Sequence, residues 1–257
     1  MQSNVKPAST VEARIAALAD VCVKCGLCLP HCPTYRVAAN EAESPRGRIA
    51  FAQALAQGKL EPSTSVLVHL DNCLACMACE RVCPSKVQYG ELITTTRAWL
   101  VDTGKASRTG RSLGRLLAHP RLLGALLRVA NLPVVRSVAR SRTMQTLLRP
   151  FGLDRVVAEL PRLPHVDAIP SLTPASPRGR VGLFLGCVAA SVDRDVQAAS
   201  RTLLQALGYA VVLPSAQGCC GALALHNGDA AQADRLAQSL RTVFAGADVD
   251  MLLVSAS

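Results

Sequence analysis

The chain has 257 residues, enough for one or two domains, and 50% of them are hydrophobic, so a packed core is expected and disorder is excluded as the default. Aromatic residues make up only 3%, which argues against single-stranded nucleic-acid binding on stacking platforms, although the formal charge is +10 with cysteines counted as neutral. Residues 1–10 contain no apolar h-region and no run of about 18 apolar residues occurs anywhere, so neither a secretory signal nor a membrane span is expected.

Residues 9–19 are predicted to form a short helix. Ser9 and Glu12 fit a capping box, and Val11, Ile15 and Leu18 form an apolar stripe. The helix leads into Cys22-Val-Lys-Cys25-Gly-Leu-Cys28-Leu-Pro-His-Cys32-Pro33. Ser44 then caps a second helix with Pro45 at its first position, running to about Gln57 and stopped by Gly58. A third helix starts near Pro62 and carries Val66, Leu67 and Leu70 toward Cys73-Leu-Ala-Cys76-Met-Ala-Cys79-Glu-Arg-Val-Cys83-Pro84. A fourth covers Tyr89 to Val101, with Trp99 in the core.

Both cysteine runs read C-x2-C-x2-C-x3-C-P, the spacing of bacterial ferredoxin clusters. Three cysteines of one wrapped loop reach three corners of a [4Fe–4S] cubane, and the displaced fourth ligates the other cluster. The expected ligand sets are therefore Cys22, Cys25, Cys28 and Cys83 for one cluster, and Cys73, Cys76, Cys79 and Cys32 for the other. Pro33 and Pro84 are expected to end the turns that follow the fourth cysteines. Four-cysteine zinc sites or a disulfide framework are the alternatives; two complete copies, each ending in Cys-Pro, weigh against both. Eight thiolates and two oxidised cores would bring the net charge to about +6, so part of the basicity compensates cluster charge. Arg46 and Arg48 have two open readings: they approach a cluster or a docking surface, or they are solvated charges at a helix start. His31 and His69 are expected at the surface or beside the ligands rather than among them.

Residues 102–178 differ in character. From Lys105 to Arg149 there are ten Lys or Arg and no Asp or Glu, interleaved with short apolar groups and broken by Pro120, Pro133 and Pro150 into two or three short helices. Such basic amphipathic helices suit an anionic membrane surface, an acidic partner or nucleic acid. Membrane or partner docking is favoured, because no nucleic-acid motif is present. Residues 161–178 hold five prolines and read as an extended linker. From Arg180 the pattern becomes strand 181–185, helix 191–207, strand 209–213, helix 229–244 and strand 251–254, a parallel α/β layer. Cys187, Cys219 and Cys220 fall just after strand ends, where open α/β sheets place ligands. No G-x-G-x-x-G follows a strand, so no flavin or nicotinamide site is expected.

The paired runs, the Cys32-Pro-Thr-Tyr35 stretch, the Ser44-Pro-Arg-Gly-Arg48 segment and Gly218-Cys-Cys-Gly221 together resemble the iron–sulfur subunit of glycolate oxidase (glycolate dehydrogenase). The wider group includes heterodisulfide reductase subunits and the anaerobic glycerol-3-phosphate dehydrogenase iron–sulfur subunit. The resemblance covers nearly the whole chain and is densest over residues 20–95. It implies an electron-transfer subunit that takes electrons from partner flavoprotein subunits oxidising a 2-hydroxy acid. It also implies a cytoplasmic location, peripheral on the inner face of the membrane, and a quinone-linked acceptor. In that family the C-terminal part carries cysteine-rich domains around a metal centre; Cys187, Cys219 and Cys220 match the first part of that motif. Relative to the family the chain is expected to be C-terminally shortened, with Cys187, Cys219 and Cys220 forming either an incomplete third iron–sulfur site or buried or reactive thiols without metal.

The expected architecture is a mixed fold. A helical two-cluster ferredoxin-type domain (1–101) is followed by a basic helical segment and Pro-rich linker (102–178), then by a partial α/β cysteine-rich domain (179–257). The expected function is electron transfer within a glycolate dehydrogenase-type complex, with no substrate-oxidising site on this chain. The alternatives are an iron–sulfur subunit serving glycerol-3-phosphate, lactate or heterodisulfide chemistry, and a zinc-binding interaction protein.

Overall fold

The structure is a computed structural model describing residues 10–106, 114–115, 118–149, 163 and 176–254. The chain separates into two compact units. The first takes the described residues up to 106 together with Leu223–Ala230, and the second takes the rest.

The first unit is built from helices that bracket the two cysteine loops: α1 (Val11–Asp20), α2 (Pro33–Ala38), α3 (Pro45–Ala56), α4 (Thr64–Asp71), α5 (Ala78–Arg81) and α6 (Tyr89–Asp102). The cap of α1 is Thr10 rather than Ser9, its hydroxyl accepting from the Ala13 amide at 3.2 Å. Glu12 accepts from Trp99 Nε1 at 2.8 Å and so ties α1 to α6; the Ser9 half of the expected capping box lies outside the described residues. Ser44 caps α3 as expected, accepting from Gly47 N at 2.9 Å with Pro45 in the first turn. Glycine at 47 is required by closeness, since a Cβ there would fall 2.1 Å from the Glu41 carbonyl oxygen. Pro33 opens α2 instead of only ending a turn, because its fixed φ suits a first helical position and the lost N–H has no partner there.

α1, α3 and α6 pack face to face around Ile15, Ile49, Ala52, Leu55, Leu92, Ile93 and Leu100, with Leu70 of α4 closing one side. Each such leucine or isoleucine, fully buried, contributes about 1.5–3 kcal/mol. Leu92 and Ile93 are wholly buried, so Leu92→Ala would cost about 2–5 kcal/mol. Trp99 is in this core, with Lys105 Nζ 4.2 Å from its ring centroid. The core holds the helices, and the helices fix where each cysteine loop begins and ends.

The second unit carries a parallel three-stranded sheet in the order β2-β1-β3, with β1 Arg180–Phe184, β2 Ala210–Val212 and β3 Met251–Val254. Val181 and Leu183 of β1 are buried, while all four residues of the edge strand β3 are exposed. Phe244 of the helix Ala230–Ala245 packs on the sheet at Gly182, where a Cβ would come within 3.2 Å of its ring. The predicted helix over 191–207 is broken at Asp193 into Ala189–Val192 and Arg194–Ala206. Among the described residues the basic segment includes the helices Pro120–Ala130, Pro133–Ala139 and Arg142–Leu148; the first packs on the α/β unit where Gly124 meets Ser191. Pro150 and most of the Pro-rich 161–178 stretch lie outside the described residues.

Candidate iron–sulfur sites

The two cysteine loops repeat one backbone conformation. Lys24 (φ 58°) and Ala75 (φ 51°) precede the second cysteines, and Gly26 (φ 84°) and Met77 (φ 55°) follow them, all left-handed at matching positions. Left-handed backbone disfavours ordinary L-residues by about 1–3 kcal/mol each, so three non-glycine cases at matched places show that the fold imposes this wrap. Alternating hands turn successive amide N–H groups inward, the geometry of an anion-binding nest. The Ala75 amide accordingly points at Cys73 Sγ, 3.4 Å away.

The sulfurs line two cavities. One is bounded by Cys22, Cys25, Cys28 and Cys83, with Arg46 on its wall. The other is bounded by Cys32, Cys73 and Cys76, with Thr34 and Arg48. Pro45, Cys79 and Tyr89 line both, so the cavities are neighbours across a partition of side chains. The structure thus brings the fourth cysteine of each run to the cavity of the other. Among the described residues no three metal-ligating side chains converge on a single ion; the thiols surround spaces instead. Burial pushes the Cys79 thiol up to about 12, and the neighbouring sulfurs of Cys73, Cys28, Cys32 and Cys76 add to the effect. Thiols crowded in this way ionise together only around a compensating cation. A cationic iron–sulfide core meets that requirement, so the donor set fits such a group.

Arg46 and Arg48 have different fates. Arg46 is partly exposed, bonded to the Glu41 carboxylate and donating to Lys24 O of the first loop at 3.1 Å. Arg48 is 1% exposed and sits in a polar network that sequence reasoning did not find. It pairs with the Glu43 carboxylate and donates to Glu43 O (2.7 Å), His69 O (2.6 Å) and Thr34 Oγ1 (3.0 Å). Glu43 also accepts from Asn72 at 2.8 Å and meets His69 Nδ1 at 2.7 Å. Burial pushes the Glu43 carboxyl up, yet the His69 and Asn72 hydrogen bonds and the Arg48 charge outweigh it and hold the group below its ordinary value. His69 is therefore neither ligand nor surface group: it stacks on Phe51 and holds Glu43. His31 is exposed.

Two further side chains support the second loop. Tyr89, 3% exposed, donates to Cys73 Sγ at 3.4 Å. Burial holds its hydroxyl protonated, well above its ordinary pKa, so it remains a donor. Arg97 Nη2 donates to the carbonyls of Leu70, Asp71 and Cys73 at 2.7, 3.0 and 2.9 Å, satisfying the end of α4 and anchoring the entry to the loop. Neither has a local sequence signal. Thr34 had one, its place two residues after Cys32.

In the second unit Cys187 follows β1 and Cys219 and Cys220 follow β2, at the carboxyl ends of neighbouring parallel strands. Gln217 Oε1 accepts from Leu185 N at 2.8 Å and ties the two loops together. Cys187 and Cys219 sulfurs lie 3.6 Å apart, while Cys220 is exposed. The hydrogen bond between these two thiols lowers Cys187 to about 7, while the neighbouring Cys219 pushes Cys220 the opposite way.

Comparison with known proteins agrees with both units. Residues 18–87 match the 4Fe-4S dicluster domain, and residues 181–257 match the cysteine-rich domain. Fold and sites therefore define an iron–sulfur protein that joins a helical dicluster domain to an α/β cysteine-rich domain. The chain is 34% identical over 251 residues to the probable glycolate oxidase iron–sulfur subunit of Bacillus subtilis, covering 91% of this chain and 56% of that one. It is 32% identical over 209 residues to the glycolate oxidase iron–sulfur subunit of Escherichia coli, covering 80% and 47%. A 65-residue stretch is 34% identical to ferredoxin-3 of a Nostoc species, covering 25% of this chain and 64% of that one. The chain belongs to the family of the glycolate oxidase iron–sulfur subunit and spans about half the length of these longer relatives. No solved structure matches it.

Proposed function

We propose that this chain is the electron-transferring iron–sulfur subunit of a 2-hydroxy-acid oxidoreductase acting on glycolate, taking electrons from a partner flavoprotein and passing them toward a quinone-linked acceptor. The observation that carries the reading is the pair of adjacent thiol-lined cavities, each completed by a cysteine from the other run. Cys22, Cys25, Cys28 and Cys83 would hold one [4Fe–4S] cluster, and Cys73, Cys76, Cys79 and Cys32 the other. Each would supply a one-electron carrier. The chain's own part is to place two thiol sets side by side, to exclude water with Ile49, Val87 and Tyr89, and to aim amides and hydroxyls at sulfur. Substrate oxidation is assigned to the flavoprotein; a copurifying partner specific for glycerol-3-phosphate or lactate would reassign the client. Cys187, Cys219 and Cys220 are read as part of a third iron–sulfur site whose remaining ligands come from outside the described residues.

The basic helices are read as the surface that docks on the cytoplasmic face of the membrane. Leu122, Leu126, Val129, Val134 and Val138 are exposed there amid arginines, the composition of an interfacial helix pair. Among the described residues no single helix is long and apolar enough to cross a membrane, and the pair Leu122–Ala130 and Pro133–Ala139 is bent by 74°. The deciding experiment is iron, zinc and acid-labile sulfide analysis of anaerobically purified protein, with EPR after reduction. About eight irons with matching sulfide and a coupled two-cluster spectrum support the reading. Zinc without sulfide refutes it.

A further inference from the structure

The two cavities are not equivalent in what reaches their sulfurs. Cys32 Sγ lies 3.2 Å from Thr34 Oγ1, and Cys73 Sγ lies 3.4 Å from Tyr89 Oη. Both cysteines line the same cavity. The fourth cysteine of the other set, Cys83, has Ser85 at the position matching Thr34, and among the described residues no hydroxyl reaches a sulfur of that set. A backbone amide serves each side: Ala75 on Cys73, and Arg46 on Cys28.

The Thr34 hydroxyl is poised to change partners. While Cys32 is a thiol, its Sγ lies 3.7 Å from Glu43 O, and the Thr34 hydroxyl donates to that carbonyl at 2.9 Å. A ligating thiolate has no proton to give. Glu43 O is already served by Arg48 Nη1 at 2.7 Å, and the same nitrogen donates to Thr34 Oγ1 at 3.0 Å. The hydroxyl proton is then free to turn onto the sulfur, giving a charge-assisted bond polarised by a guanidinium 4.0 Å from Cys32 Sγ.

Resting on the two-cluster reading, we infer that the cluster held by Cys32, Cys73, Cys76 and Cys79 has the higher potential of the pair, and that Thr34 and Tyr89 are the residues that set the difference. One-electron reduction adds negative charge to the sulfurs with no bond made or broken, and donors to sulfur stabilise that charge. Two effects oppose this. Cys32 and Cys79 are more buried than their counterparts, and burial disfavours added charge. Arg46 stands at the other loop, but it is partly exposed and neutralised by Glu41, so solvent screens it. Each set has one exposed cysteine, Cys25 or Cys76, which keeps the burial difference small, whereas the hydroxyl donors serve one set alone among the described residues.

The test is an EPR-monitored redox titration of the anaerobically purified full chain, with dithionite as reductant, on wild type, Thr34→Val, Thr34→Ser and Tyr89→Phe. Among the described residues the Thr34 and Tyr89 hydroxyls hydrogen-bond only the sulfurs of Cys32 and Cys73, so the midpoint that moves belongs to that cluster. Thr34→Val and Tyr89→Phe should each lower the higher midpoint by up to about tenfold in equilibrium constant, about 59 mV for one electron. The lower midpoint should stay in place, and Thr34→Ser should restore the wild-type value. Movement of the lower midpoint, or of neither while iron and sulfide stay at wild-type levels, overturns the inference and leaves the two-cluster reading standing. Absence of sulfide in the wild type overturns both.

Discussion

The Arg48 network offers the most quantitative test of how the fold is held. Arg48→Met removes a guanidinium that is 1% exposed while keeping much of the side-chain volume. It leaves Glu43, 6% exposed, without its cation, and it strips donors from Glu43 O, His69 O and Thr34 Oγ1. Removing one partner of a buried pair costs about 3–5 kcal/mol, most of it from the charge left behind. His69 and Asn72 still hold the carboxylate, which keeps the expected loss near 3 kcal/mol rather than the sum of the separate bonds. The double variant Glu43→Gln with Arg48→Met removes both charges and should recover at least half of that loss. The assay is guanidinium unfolding of the anaerobic holo-protein followed by far-UV circular dichroism, comparing midpoints at unchanged slope. A single variant within about 1 kcal/mol of wild type, or a double variant as damaged as the sum of its parts, would refute the argument.

Three further outcomes are expected. Cys83→Ala should remove about four irons and the lower-potential signal while the Thr34-sensitive midpoint survives; loss of that midpoint instead would show that ligation does not cross between the runs. Gly47→Ala should destabilise the first unit by about 1–3 kcal/mol or more, read as a lowered unfolding midpoint, because its Cβ meets the Glu41 carbonyl backbone; a neutral result would mean that α3 starts differently. Replacing Arg128, Arg136 and Arg140 with Gln should weaken binding to phosphatidylglycerol-containing vesicles roughly a hundredfold at low salt, at about 1 kcal/mol per charge. Binding that is unchanged, or indifferent to salt in the parent, would dismiss the membrane role of this segment.

Much of the protein is legible in its sequence because the features concerned are local. Helix starts follow from Ser44-Pro45 and from the apolar stripes, which need only neighbouring residues to form, and the start expected near Pro62 falls within two residues of α4. The cysteine spacing implied crossed ligand sets because a cubane has fixed corners, and the structure brings those cysteines to the expected cavities. The parallel order of strand and helix after Arg180 came from hydrophobic period and length alone.

Other properties depend on which distant groups meet. Arg46 and Arg48 look alike in the sequence, two residues apart on one helix start. Their positions around α3 send one to solvent and Glu41, the other into a buried site with Glu43, His69 and Thr34. Tyr89 lies sixteen residues after Cys73, and only the return of α6 past the second loop puts its hydroxyl on that sulfur. Glu12 holds the Trp99 indole only because packing brings α6 against α1. Local chemistry thus named the candidate ligands and the helices. Tertiary packing decided their electrostatic surroundings, because a hydrogen bond to sulfur or a buried ion pair exists only once remote segments close to within about 3–4 Å.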